Sequence, residues 1–170
     1  MNKLLSITRH LTNTILYFCP PTRLFKFRLI MLRLASVDID NCSKFCGRSW
    51  IYGKGSLKIM KNTWISPGAM IHTHCDAEIV IGNRCDIGPG VEIMTGSHEI
   101  GTSKRRAGKG IANPVFIGDG VWIGARSLIL GGVTIGEGSV IAAGSVVTHS
   151  VGSNVLVAGV PARVKRILVK

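Results

Sequence analysis

The residue type best suited to proton transfer in this chain is His98, in the run Thr95-Gly96-Ser97-His98-Glu99. An imidazole titrates close to neutral pH and can act as acid or base there. His98 stands near the head of a stretch, MTGSHEIGTSKRRAGKGIANP, that also carries Lys104, Arg105, Arg106 and Lys109. Arg105 and Arg106 could grip a phosphate or carboxylate, the alternative being a solvated basic loop. A cysteine thiolate could carry an acyl group, but Cys75 and Cys85 fall on positions that the repeat described next turns inward, which predicts packing for both. Neither Cys42 with Cys46 nor His72 and His74 with Cys75 has the paired spacing of a zinc site, so no metal is expected.

The elements that position these residues follow from a repeat. From Ile117 onward Ile123, Ile129, Ile135, Ile141 and Val147 recur at intervals of six, with Val121, Ser127, Val133, Ser139, Ser145 and Val151 four residues after each. An earlier block places Ile59, Ile65 and Ile71 on the same beat, and Ile81 and Ile87 resume it after a slip of four. A period of six is neither helical nor a plain strand alternation. It predicts short strands and turns, with one large and one small side chain entering the interior per repeat. Three such sides close a triangular coil whose neighbours bond along the axis. Gly82, Gly88, Gly118, Gly124 and Gly136 follow the large residue, where the turn needs either φ > 0 or close backbone approach. A sandwich of ordinary strands would call for hairpin pairs such as Asn-Gly, and the sequence has no Asn-Gly. The ladder breaks between Ile93 and Val115, and a long loop on a regular solenoid is more often functional than idle.

Composition agrees. In 170 residues, 46% apolar content excludes wholesale disorder, and no apolar run reaches the length of a membrane span. Lys and Arg number 21 against 9 Asp and Glu, a formal +12 that implies phosphate-bearing small molecules, lipid head groups or nucleic acid. The few aromatic residues (6%) disfavour single-stranded nucleic acid, which binds on stacking platforms. Arg9, His10 and Asn13 interrupt a would-be secretion signal, and five cysteines cannot all pair within one chain, so a reducing cytoplasm is the expected location.

With its six-residue beat and loop, the sequence resembles the hexapeptide-repeat acyltransferases over about residues 55 to 168. Within that family it is most similar to the sugar and polysaccharide acetyltransferases, including galactoside, maltose, colanic-acid and O-antigen enzymes. The resemblance implies an all-β, left-handed parallel β-helix, a hand that the usual right-handed crossover rule would not give. It further implies a homotrimer, acetyl-CoA as acyl donor, and direct transfer without a metal. A histidine at the position of His98 serves the family as general base toward the acceptor hydroxyl.

Other residues match by position. Asp76, 22 residues before His98, matches an acceptor-contacting aspartate, although it could equally be a turn residue at the slip. Gly68 stands where the galactoside enzymes carry an acceptor-binding asparagine, which argues against a simple galactoside acceptor. Glu99 could orient His98 or face solvent. Trp122-Ile123-Gly124-Ala125 resembles the family's tryptophan coil, where backbone amides at Gly124 and Ala125 would face the thioester. Ala143 and Thr148 match donor-lining positions, and His149 replaces a usual lysine. Arg163 and Arg166, in the closing motif, would meet nucleotide phosphates, and Pro161 predicts a short helix over about residues 161–167.

Residues 1–36 form a separate basic segment without Asp or Glu. Leu4, Ile7, Leu11, Ile15 and Phe18 lie at helical spacing, and Leu24, Phe27, Met31 and Leu34 form a second stripe. Two amphipathic helices are expected, packing on the solenoid or a neighbouring subunit, or lying through residues 1–34 on an anionic membrane at its cytoplasmic face. Residues 37–170 are the β-helix domain, with its loop at 94–114 and an irregular, incomplete first coil up to Gly55. The expected activity is O-acetylation of a sugar hydroxyl on a surface polysaccharide or its precursor. The alternatives are N-acetylation of a nucleotide-linked amino sugar and a non-catalytic scaffold or sugar-binding protein.

Overall fold

The structure, a computed structural model, describes residues 2–169, with the side chain of Asn2 left out. Its repeat unit is legible in Val121-Trp122-Ile123. Alternation along a strand turns Val121 and Ile123 into the core, both nearly inaccessible, and Trp122 outward. The third residue of the turn that follows takes a left-handed φ, as at Asn62 (57°), Gly90 (65°) and Arg126 (57°). The glycine directly after the large residue serves the other purpose. A Cβ at Gly124 would stand 2.5 Å from the Ala143 nitrogen of the next coil, so close approach explains it.

Strands β1 (Asp38–Ile39), β2 (Lys44–Phe45) and β3 (Trp50–Gly53) make the first coil. The second comprises β4 (Leu57–Ile59), β5 (Trp64–Ile65) and β6 (Met70–Thr73), and the third β7 (Ile79–Ile81), β8 (Asp86–Ile87) and β9 (Glu92–Met94). The chain then leaves the solenoid as a hairpin, β10 (Gly96–Ile100) and β11 (Ala107–Ala112). It returns for β12 (Val115–Ile117), β13 (Trp122–Ile123) and β14 (Leu128–Ile129), then β15 (Thr134–Ile135), β16 (Val140–Ile141) and β17 (Val146–Val147), and closes with β18 (Val155–Gly159) and β19 (Ala162–Ile167). Three parallel faces result: β1-β4-β7-β12-β15, β2-β5-β8-β13-β16-β18 and β3-β6-β9-β14-β17. Each large aliphatic rests on its equivalent, as Ile87, Ile123 and Ile141 do through their paired strands. Inward hydroxyls stitch coil to coil: Ser127 donates to the Gly124 and Ala142 carbonyls at 2.9 and 3.0 Å. That is why small polar residues are tolerated inside.

Three expectations need correction. The first coil is complete, because Ile39, Phe45 and Ile51 are buried on the same step of six, with Ser43 and Ser49 at the small positions. A phenylalanine in place of an aliphatic residue hid it. Cys75 is exposed, unlike the fully buried Cys85. At the four-residue slip β6 runs longer, and Thr73 and Ala77 take the inward places instead. Residues 161–167 are not helical. Gly159 (φ 107°) reverses the chain, and β19 pairs antiparallel with β18, Leu156 opposite Arg166 and Gly159 opposite Ala162. The open edge of β18 needs partners along its length, which β19 supplies and one helical turn would not.

Helices α1 (Asn2–Phe18) and α2 (Phe25–Leu34) cover the first-coil end. Of the orientations that the sequence left open, α1 takes the one with its apolar stripe outward. α1 turns Arg9, Thr12, Asn13 and Leu16 toward the solenoid and leaves its apolar stripe outside. The cause is the strand edge that it covers. Asn13 donates to the Ile51 carbonyl and accepts from the Ile51 amide, acting as a surrogate strand for β3. Arg9 donates to the carbonyls of Ala35, Gly53 and Gly55 and to the Thr73 hydroxyl. Open backbone groups need polar partners, so the polar face goes inward. Burial lowers the Arg9 pKa from its usual value.

Candidate active site

His98 sits on β10, whose residues are all exposed, opposite Gly110 of β11. The root of this hairpin is Thr95, fully buried. Its amide donates to the His72 carbonyl (3.1 Å), its hydroxyl accepts from the His74 amide (2.9 Å), and its carbonyl accepts from the Asn113 amide (2.9 Å). The coil above makes room with Gly131, where a Cβ would stand 2.6 Å from the Thr95 carbonyl oxygen. Arg105 and Arg106 lie at the exposed turn of the hairpin, and Arg106 donates to the Gly101 carbonyl. Among the described residues no hydrogen bond or ion pair joins Glu99 to His98, so Glu99 does not orient it here.

Asp76 occupies the corner one coil below, between β6 and β7, which pair with β9 and β12. It lines an open groove of about 320 Å³ with Glu78, Phe116 and Pro114, the residue at the hairpin's far foot. The sequence match therefore places an acidic residue at the base of the projecting hairpin. His74, Cys75 and Asp76 bring donor atoms within 4.8 Å of one another on this exposed turn. Among them, the His74 Nδ1 accepts from the Asp76 amide at 3.3 Å.

The second face carries a different column. Register aligns Trp64, Asp86, Trp122, Val140, Leu156 and Arg166 along the axis, all outward. Trp122 is 57% exposed, as its outward position predicts. Together with Trp64, Asp86, Gly88 and Pro89 it borders a groove of about 370 Å³. Trp64 and Asp86 escaped the sequence reading, yet each precedes a large inward residue as Trp122 does, so the register could have found them.

The turn after β13 decides between the two expected amides. The Gly124 amide donates to the Ile141 carbonyl at 2.7 Å, so it is spent on the ladder and is not an oxyanion donor. The Ala125 amide has no acceptor among the described residues. The equivalent residues in the coils below are Pro67 and Pro89, which have no amide hydrogen: the carbonyls of Pro67, Pro89 and Ala125 accept in turn from Gly90, Arg126 and Gly144. Ala143 lies on this same corner, one coil on and exposed. Arg163 and Arg166 project from β19 beyond it, both exposed. Thr148 and His149, bonded to each other at 2.8 Å, are instead on the corner from which the His98 hairpin springs.

One chain thus divides the chemistry. The imidazole, Asp76 and the His149 corner stand between the third and first faces, and Ala125, Ala143 and Trp122 lie across the third face from them.

A family model for bacterial transferase hexapeptide (six repeats) matches residues 114–149. The galactoside O-acetyltransferase of Lactococcus lactis subsp. lactis is 42% identical over 91 residues, 54% of this chain and 44% of that protein. There, and in the fungal and Escherichia coli relatives that match comparably, the chain spans less than half of the full length. A hexapeptide-repeat acetyltransferase of Vibrio cholerae, complexed with acetyl coenzyme A, superposes with a TM-score of 0.74 at 29% identity, covering 99% of this chain and 89% of that one. The polySia-specific acetyltransferase NeuO gives 0.67 at 32% identity, over 79% and 63%. The fold is that of a left-handed parallel β-helix. Over residues 114–149 the chain matches the hexapeptide transferase model, and it is similar along its length to solved hexapeptide-repeat acetyltransferases.

Proposed function

We propose that this protein transfers an acetyl group from acetyl-CoA to a hydroxyl of a sugar, on a surface polysaccharide or its precursor. His98 takes the hydroxyl proton as that oxygen attacks the thioester carbonyl, a step that needs a base active near neutral pH. The Ala125 amide holds the oxyanion that develops. The imidazolium then returns its proton to the departing CoA thiolate, so protons balance without a metal. Trp122 and Ala143 flank the acyl donor, Arg163 and Arg166 face its phosphates, and Asp76 meets the acceptor in the groove below the hairpin. The likeness to acetyltransferases named for galactoside and for polySia supports a carbohydrate acceptor.

The observation that carries the reading is the unpaired Ala125 amide beside an outward tryptophan. Because His98 belongs to another corner, the complete site forms where the hairpin of one copy reaches the Ala125 corner of the next. That arrangement is the reason for a homotrimer. His98→Ala tests the reaction: kcat should fall about 10²–10⁴-fold, with KM for acetyl-CoA within about threefold. A folded variant that still acetylates a sugar at near wild-type rate overturns it.

A further inference from the structure

The outward faces of α1 and α2 are unused by anything described so far. On α1, Leu4 (71% exposed), Ile7, Leu11, Ile15 and Phe18 (81%) form one stripe on a helix about 25 Å long. On α2, Lys26, Phe27, Ile30, Arg33 and Leu34 share the exposed face. Both helices lie on the end of the solenoid, so these faces look away from it. No helix of the described residues is long and apolar enough to cross a membrane.

We propose that this end of the molecule docks on an anionic lipid bilayer, with α1 lying in the interface plane. Charge selects the occupant. Residues 1–37 contain no acidic side chain, and Lys3, Arg23, Lys26 and Arg33 are exposed among the apolar residues. Arg9 and Arg28 are buried as carbonyl donors and do not contribute. A second copy, itself carrying +12, would bring like charge against this surface. Anionic head groups bring the opposite charge, and their acyl boundary accepts the leucines and phenylalanines. Lys26 and Arg33 moreover line, with Leu29, Ile30 and Asn41, a groove of about 340 Å³, where Arg33 also donates to the Ile39 carbonyl and the Asn41 side chain. The inward polar face is fixed by the first-coil backbone, so the stripe cannot turn inward by rolling the helix without breaking the Arg9 and Asn13 bonds.

Co-sedimentation of the full chain with phosphatidylglycerol–phosphatidylcholine vesicles, and with phosphatidylcholine alone, tests this. Binding to the anionic vesicles should exceed binding to neutral ones by at least tenfold and fall steeply with salt. The Ile7→Glu/Leu11→Glu variant should lose binding by tenfold or more, and each of Lys3→Gln and Lys26→Gln by about fivefold. Melting temperature and activity on a soluble acceptor should stay unchanged, because these side chains are exposed and none belongs to the catalytic or donor-binding residues proposed above. Equal binding to neutral and anionic vesicles, or none to either, overturns the proposal. So does a stripe variant whose only change is a smaller oligomer by sedimentation velocity, which would assign the face to a second copy.

Discussion

Replacing Ala125 by proline removes one hydrogen atom of mechanistic interest and leaves the fold a residue it already accommodates. Pro67 and Pro89 occupy the same turn position in the coils beneath, and their carbonyls accept from Gly90 and Arg126 as the Ala125 carbonyl accepts from Gly144 at 2.9 Å. The residue before is Gly88 in one of those turns and Gly124 here, so the restriction that proline puts on its predecessor is also met. With the Gly124 amide bound to the Ile141 carbonyl, the Ala125 amide is the one of the two left without an acceptor among the described residues. Loss of a single oxyanion donor costs about 2.7–4 kcal/mol, or roughly 10²–10³ in kcat. The assay is CoA thiol release with an accepting sugar, beside Ala125→Gly, which retains the amide and should stay within about threefold of wild type. Thermal stabilisation by CoA, which has no thioester carbonyl, should survive in the proline variant. The reasoning fails if folded Ala125→Pro keeps kcat within about threefold. It fails equally if CoA stabilisation vanishes along with the rate, since the ring would then be excluding ligand rather than withholding a hydrogen bond.

Three further outcomes are expected. Gly124→Ala should lower stability by about 1–3 kcal/mol, read as a fall in melting temperature, because its Cβ would meet the Ala143 nitrogen at 2.5 Å and Cα at 2.8 Å, both backbone. Arg9→Met should cost about 3 kcal/mol or more in denaturant unfolding, since the Ala35 and Gly55 carbonyls lose their donor while buried and the Gly53 carbonyl loses it while half-buried. Asp119 accepts from the Asn83 amide and from its side chain, bonds that hold the carboxyl below its ordinary 3.8. The resulting stability is present above that value and disappears as pH falls through the lower folded one. The melting-temperature advantage of wild type over Asn83→Ala should therefore shrink in acid and be constant from pH 5 to 7.

The solenoid was readable in the chain because its period is enforced by burial at every step: Ile123, Ile129 and Ile141 have no alternative place. The projecting loop that carries His98 was readable for a related reason, as the ladder could not continue through it. The sequence misled where a local signal had two meanings. Pro161 fits the start of a helix and equally a tight reversal, and only the exposed edge of β18 chooses between them. Gly124 and Ala125 look alike as amides until the next coil claims one. The leucine stripe of α1 left open whether it faced the solenoid, a neighbouring subunit or a membrane, and the unpaired Ile51 and Gly53 groups decided by asking for Asn13 and Arg9. Those demands arise from neighbours distant in sequence, and no window along the chain contains them.

A stack of identical rungs has no natural length, and each terminal rung is a template for the next molecule. Here Asn13 plugs one terminus and the β18–β19 hairpin folds over the other. Growth into fibres is thereby blocked at both poles while the middle stays modular. Whole rungs could be added between β5 and β8 or beyond β14, lengthening the shaft by about 4.8 Å each, with the lids and the projecting hairpin left as they are.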